Sequence, residues 1–156
     1  MTHTAQIVLS LIASTTIAGS ALAAAPVAEG GRKFNTVLNG ANECNASGTC
    51  NLGDTDGTGT AHVVVNLGQQ RVCWTMTANN IAQPTRSHIH RGAANSSGPI
   101  LVSFFETAAT ADLESCTTAV LDRELLNDII QNPQNYYVNI HNADFPAGAI
   151  RGQLGK

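Results

Sequence analysis

Apolar residues alternate with polar residues along most of the chain, which is the pattern of half-buried β-strands. In the segment 59–67, Val63 and Val65 fall on one side of a strand, while His62 and Asn66 fall on the other. Similar short segments, separated by turn-forming residues, span 33–40, 59–67, 71–78, 86–91, 99–105, 136–141 and 149–154. Short strands joined by turns predict an antiparallel all-β domain.

One helix interrupts this pattern near the end of the chain. Apolar residues recur at helical spacing in the segment 125–130, Asp122 is placed to act as the N-cap, and Asn132 and Pro133 stop the helix. The apolar stripe is most simply a packing face.

The first 23 residues have the form of a secretory signal peptide. Residues 7–17 form an apolar run, and Ala21-Leu22-Ala23 fits a cleavage site with small residues around one larger residue. The alternative is an uncleaved anchor, but the run is short for a bilayer, which needs about 20 apolar residues. We therefore expect export to a secreted, periplasmic or extracellular location.

Residues 24–32 are then a flexible lead-in, and residues 33–156 form one domain. The formal net charge is −3, with eight Lys and Arg residues in total. Nucleic-acid binding usually requires a basic face, so this class of partner is excluded. No stretch after the leader is apolar enough to span a membrane.

The four cysteines lie behind the secretion signal, where disulfides are common. Three pairings are open. Cys44 and Cys50 share one polar loop and are expected to close it, which leaves Cys73 for Cys116. A zinc ribbon is disfavoured because the sequence has no C-x-x-C pair.

Three of the five histidines share one pattern. Side chains alternate across a strand, so His88 and His90 point to one face and Ile89 points to the other. His141 and Ile140 repeat this division fifty residues later. If the isoleucines face a core, the three imidazoles lie outside it, and pairing of the two strands would create a surface metal site.

The residues that carry these histidines resemble the CHRD (chordin) domain family. The matching motifs are at 34–43, 57–61, 88–92, 98–100, 137–141 and 146–154. The resemblance covers about residues 33–154, and the combination of motifs is more specific than any one of them. The family usually has Glu before Ile-Arg-Gly, whereas this chain has Ala149. The cysteines are not part of the family pattern.

The resemblance implies an immunoglobulin-like or Greek-key β-sandwich in a secreted protein. In chordin the domain accompanies growth-factor-binding modules, and in microbes it often occurs alone. The His-x-His pair at 88–90 is also similar to a strand of copper/zinc superoxide dismutases, although this second likeness is local.

The first functional hypothesis is a metal site formed by His88, His90 and His141. His62 is a candidate fourth ligand, for which the favoured alternative is an exposed strand residue. Neutral imidazole suits copper and zinc, and three protein ligands leave a position for water or a small molecule. The alternative is that these histidines only orient loops through hydrogen bonds to backbone carbonyls.

Two further hypotheses concern the whole domain. In the second hypothesis the domain acts without metal, as a structural module that binds an extracellular protein or small ligand, because fold alone does not determine function. In the third it is a copper-dependent, dismutase-like oxidoreductase, in which Arg86, Arg91 and Arg151 guide an anion to the site. Arg151 is alternatively expected to brace the loop of His141.

The sequence predicts no catalytic nucleophile. Ser87 and His88 are neighbours on a strand and point to opposite faces, which disfavours a nucleophile–base pair. The acidic residues in the loops have no recognisable pairing and are expected to be solvated. They are Glu43, Glu106, Asp112 and Glu114.

Overall fold

The structure is a computed structural model that describes residues 30–109 and 113–155. The expected leader, residues 1–23, and most of the lead-in lie outside the described residues. Within the described ranges, no helix is long and apolar enough to cross a membrane.

The described residues form eight strands, one α-helix and two single-turn 3-10 helices. The strands are β1 (Arg32–Asn39), β2 (Thr58–Asn66), β3 (Arg71–Asn79), β4 (Arg86–Arg91), β5 (Ile100–Phe105), β6 (Glu114–Cys116), β7 (Tyr136–His141) and β8 (Ile150–Gln153). The helix α1 is Arg123–Gln131, and the 3-10 helices are Gly40–Asn42 and Pro133–Asn135. The predicted antiparallel all-β fold with one short helix is confirmed.

The strands form one sheet in the order β5-β4-β7-β8-β1-β2-β3-β6, which curls into a nearly closed barrel. Trp74 of β3 and Phe104 of β5 stack with 4.5 Å between ring centroids, although their strands lie near opposite ends of this order. Aromatic stacking inside the curl therefore brings the two ends of the sheet together.

The inner face of the sheet buries the predicted apolar residues. Ile89, Val138 and Ile140 are fully buried in the main core, as the alternation predicts. Helix α1 begins at its expected cap, where the Asp122 side chain accepts a hydrogen bond from the Leu125 backbone N–H at 2.9 Å. This helix buries its apolar stripe against the same core.

The opposite face of β4, β7 and β8 carries a second buried group, which we call the outer layer. It consists of His88, His90, Asn139, His141 and Arg151, all of which are at least nine-tenths buried. The connections 40–57, 92–99 and 142–149 cover this layer. For example, the backbone N–H of Asp54 donates to the Ala149 carbonyl at 2.8 Å, which joins two of these connections.

Both expected cysteine pairs are bonded, Cys44 with Cys50 and Cys73 with Cys116. The second pair joins β3 to β6, and Cys73 lies directly opposite Cys116 in the strand register. The sequence predicts only a loop around Cys116, because three residues are too few to show alternation. This disulfide fastens a short edge strand to the sheet.

Candidate metal centre

The pairing of β4 with β7 assembles the three histidines. His88 lies opposite Asn139 and His90 lies opposite Tyr137 in the antiparallel register, while His141 lies opposite Arg86. One ring nitrogen from each histidine lies within 4.8 Å of the other two. The structure therefore brings together His88, His90 and His141, which are expected from the sequence to share a face.

The cluster is not on the surface, contrary to the expectation of a surface site. His88, His90 and His141 are exposed by 1%, 7% and 5%. They do lie outside the apolar core, but the connections above them exclude solvent. Strand alternation shows which way a side chain points and carries no information about a loop that folds over it.

Backbone carbonyls fix the protonation pattern of two of the rings. Nδ1 of His90 lies 2.9 Å from the Gly98 carbonyl, and Nδ1 of His141 lies 3.1 Å from the Pro146 carbonyl. A carbonyl oxygen can only accept, so each neutral ring carries its proton on Nδ1. Nε2 of His90 and Nε2 of His141 are therefore left with free lone pairs.

A carboxylate holds the proton of the third ring, His88, on Nε2 rather than on Nδ1. Nε2 of His88 lies 3.0 Å from Oε1 of Glu106, which also accepts a hydrogen bond from Ser103. The ionised carboxylate accepts from Nε2–H of His88, so Nδ1 of this ring has the free lone pair. That Nδ1 lies 3.1 Å from Nε2 of His141, where two acceptors face each other without a proton to share.

Burial keeps the three rings neutral at neutral pH. Burial, together with the smaller effect of the neighbouring His88, lowers the pKa of His141 from 6.5 to about 4. Burial also lowers the pKa of His88 and of His90, although Glu106 opposes the effect on His88 and the Gly98 carbonyl opposes it on His90. Neutral imidazole is the form that binds metal ions.

His90 has the least satisfied of these nitrogens. Its Nε2 is buried and has no hydrogen-bond partner among the described residues. The ring stacks on Tyr137 with 4.8 Å between centroids and 7° between planes, so it has little freedom to turn towards another partner. A buried acceptor without a partner costs about 1–3 kcal/mol unless a ligand satisfies it.

Arg151 braces a loop from inside the protein. It is 1% exposed, and its guanidinium donates to the Ala93 and Ser96 carbonyls at 2.7 and 2.9 Å. It also lies 3.4 Å from the ring centroid of Tyr137, on which His90 stacks. The braced loop is therefore the one that fixes His90, rather than the loop of His141 as expected from the sequence.

Arg91 lies apart from the cluster at the surface. Its side chain is 54% exposed, and its guanidinium contacts Asp128 at 3.4 Å and the Tyr136 hydroxyl at 3.1 Å. Arg86 donates to the Pro146 carbonyl at 3.2 Å, next to the loop that holds His141. Both arginines already have partners within the chain.

His62 does not join the other three histidines. It lies on β2, which β8 and β1 separate from the strands of the cluster. Its Nδ1 lies 2.6 Å from Oδ1 of Asn35 on the neighbouring strand. The expectation that His62 is a fourth ligand fails because the sheet order places it too far from the site.

Glu43 is buried rather than solvated, which is another departure from the sequence analysis. It is 5% exposed, and its Oε1 has no hydrogen-bond partner within residues 30–109 and 113–155. Burial raises its pKa from 4.5 to about 7, although the guanidinium of Arg151 and the side chain of Asn139 oppose this change. Its position in the opening family motif was the only signal in the sequence that it differs from other loop carboxylates.

The donor set of the cluster fits a borderline metal ion. Three neutral nitrogen atoms converge, and their orientations are fixed by hydrogen bonds on the far side of each ring. None of the three receives a proton, and Nε2 of His90 has no polar neighbour among the described residues. Such outer hydrogen bonds are typical of histidines that hold metal ions. Three ligands also leave a position for a further small ligand.

These features define a class, namely an antiparallel β-domain with a buried three-histidine cluster on its covered outer face. The sequence model of the CHRD domain matches residues 34–154, so the chain belongs to the CHRD domain family. No curated protein and no solved structure matches the chain significantly. Membership in the family supports a role as a binding module.

Proposed function

We propose that this chain is an exported CHRD-domain binding protein that holds a copper or zinc ion at His88, His90 and His141. The observation that carries the proposal is the tautomer pattern. Gly98, Pro146 and Glu106 leave a lone pair on one inward nitrogen of each ring. An ion at the centre would satisfy all three nitrogens and remove the unfavourable contact between His88 and His141.

The choice of copper or zinc follows from the ligands. Imidazole nitrogen suits both ions, whereas magnesium and calcium prefer oxygen ligands. When bound, the ion would supply a Lewis-acidic position for water or a small ligand. The protein residues would orient the rings and exclude bulk water.

Export is supported by the two disulfides. Both pairs are bonded within the described residues, and disulfides persist mainly in oxidising compartments. The form of residues 1–23 agrees with this location. We therefore propose that the protein works in a secreted, periplasmic or extracellular setting.

Metal binding can be tested with a matched set of histidine variants. After zinc or copper loading, the wild-type protein should retain the ion through desalting, and His88→Ala, His90→Ala and His141→Ala should each lose most of it. We expect affinity to fall by more than about a hundredfold, since even outer-shell partners contribute 10–100-fold. The measurements are elemental analysis and calorimetric titration.

The control for these variants is His62→Ala, which also removes an imidazole but lies on β2. It should bind the ion as the wild type does. Circular dichroism would establish that each variant is folded. Equal uptake by wild type and the three cluster variants would reject the site and favour a metal-free module in which the histidines only hold loops.

A dismutase-like enzyme is the second candidate function, and it is the weaker one because the three arginines expected to guide an anion, Arg86, Arg91 and Arg151, all have hydrogen-bond partners within the chain. Superoxide consumption by the copper-loaded protein, compared with His141→Ala, separates the two. Activity that depends on His141 would establish the enzyme, whereas inactivity of the fully loaded protein would leave a binding protein.

A further inference from the structure

A small pocket lies between the two loops that hold His90 and His141. It has a volume of about 180 Å³, and its walls include Ser97 and Ala147. Ser97 precedes Gly98, whose carbonyl fixes His90, and Ala147 follows Pro146, whose carbonyl fixes His141. Ser97 and Ala147 are exposed, so the pocket opens to solvent beside the buried cluster.

The inner wall of this pocket carries the buried carboxyl group of Glu43. The Glu43 carboxyl packs directly against Gly148, which also lines the pocket. A Cβ atom at Gly148 would lie only 2.3 Å from Oε1 of Glu43, and this glycine has a φ of +143°. Because Gly148 has no side chain, the Glu43 carboxyl can pack against its backbone. There its Oε1 has no hydrogen-bond partner in the part of the chain that the structure describes.

Asn139 lies between this carboxyl and the histidines. It lies opposite His88 in the β4–β7 register and opposite Arg151 in the β7–β8 register. Burial has the largest effect on the pKa of Glu43, which it raises, and on that of His90, which it lowers; the side chain of Asn139 reaches both groups and opposes burial in each. Its Oδ1 is buried without a partner, as is Nε2 of His90. Three unsatisfied acceptors thus follow one another from the pocket to the cluster.

We propose that this pocket is the path by which the metal ion reaches the cluster, and that the carboxylate of Glu43 is a transient ligand that passes the ion to His90. This inference rests on the proposed metal site. A divalent cation that sheds water in a narrow pocket needs replacement oxygen ligands, and a carboxylate followed by an amide oxygen provides them.

The other side of the cluster is a poorer route. Glu106 is 54% exposed and contacts His88, but it does so at Nε2, which carries the proton. A cation arriving there would meet the protonated Nε2 of His88 rather than the free lone pair on Nδ1. The imidazole would have to rotate within the covered outer layer before it could bind the cation. The pocket at Glu43 leads instead towards a free lone pair of His90.

The test separates the rate of uptake from the equilibrium affinity. A residue on the path changes the rates of entering and leaving equally and leaves the dissociation constant unchanged. Glu43→Gln keeps the shape of the side chain and should slow zinc uptake by the full chain about tenfold, the factor expected for a barrier raised by about 1.4 kcal/mol. Stopped-flow mixing with a zinc-responsive dye would measure this rate.

Two further variants keep the test valid if Glu43→Gln does not fold. Ala147→Phe places a large ring at the exposed rim of the pocket and should slow uptake in the same way. Glu124→Gln removes one exposed carboxylate from helix α1 and should have the wild-type rate, which controls for net charge.

Slow uptake in both pocket variants with an unchanged dissociation constant would establish the path. Wild-type rates in Glu43→Gln and Ala147→Phe would overturn it, while leaving the metal site intact. A loss of affinity that fully accounts for the slower rate in Glu43→Gln would also overturn it, because Glu43 would then be a permanent ligand. Absence of zinc uptake by the wild type would instead reject the metal site itself.

Discussion

At the scale of single residues, burial acts on two groups of the covered face in opposite directions. It lowers the pKa of His141 to about 4, because the charged imidazolium is the form that loses hydration. It raises the pKa of Glu43 to about 7, because the charged form there is the carboxylate. Both groups are consequently biased towards neutrality when no metal is bound.

These shifts predict opposite pH dependences for two variants of the metal-free protein. Since the folded-state pKa of His141 lies below its unfolded value of 6.5, its contribution to stability is lost as the pH falls from about 6.5 to 4. Since the folded-state pKa of Glu43 lies above 4.5, its contribution is lost as the pH rises from about 4.5 to 7. In the wild type these two effects act in opposite directions.

On acidification Glu43→Gln should therefore lose more stability than the wild type, by up to roughly 3 kcal/mol, and His141→Gln should lose less than the wild type by a similar amount. Urea unfolding at pH 7 and pH 4.5 measures both slopes. Parallel pH profiles for the two variants would contradict the assignment of these groups.

The same residues show which features of the site could be predicted from the sequence. Alternation placed His88, His90 and His141 on one face, because side-chain direction is a local property of a strand. It missed the burial of Glu43 and the contact of Glu106 with His88, because both depend on where distant loops settle. Burial by a loop leaves no periodic signal in the residues that it covers.

At the scale of elements, the connections around the cluster are held by the strands and by one another. The loop after β4 is fixed by Arg151 of β8, and it meets the loop of the first disulfide where the Ser97 backbone N–H donates to the Asn45 carbonyl at 3.3 Å. The second disulfide acts far away, at the β3–β6 edge.

The two disulfides should differ in their effect on stability. They close loops of 6 and 43 residues in sequence separation, and the chain-entropy model gives roughly 2 and 4 kcal/mol for such loops. We expect the Cys73→Ala/Cys116→Ala double variant to lose about twice as much unfolding free energy as Cys44→Ala/Cys50→Ala. Urea titration of the two double variants checks this order.

The metal affinity should show the reverse order, because only the Cys44–Cys50 loop packs on the residues that fix His90. A larger loss of affinity in the Cys73→Ala/Cys116→Ala variant would contradict this division. The sequence predicted the seven longer strands and α1 but not β6, since a three-residue strand is defined by its partner and its disulfide rather than by its own pattern.

At the scale of the whole molecule, the candidate site exists only in the folded chain. His88 and His141 are 53 residues apart in sequence, and the β4–β7 pairing near one end of the sheet order brings two of their ring nitrogens to 3.1 Å. An unfolded chain offers only separated imidazoles. Binding must therefore be coupled to the stability of the entire sheet.

This coupling predicts that metal stabilises the wild type globally. At a free zinc concentration one hundred times the dissociation constant, the free energy of unfolding should rise by about 2.7 kcal/mol. His62→Ala should show the same increase and His141→Ala should show none, as measured by thermal unfolding with and without zinc. An equal increase in His141→Ala would indicate that zinc binds elsewhere.

Because the outer face is covered, this small domain buries side chains on both sides of one sheet. The apolar side accounts for most of the folding stability, whereas the polar side determines which ligand can bind. Substitutions at Val63 or Ile129 belong to the first, and substitutions at Asn139 belong to the second. Substitutions on the polar side can therefore change ligand binding while the apolar core of the domain stays the same.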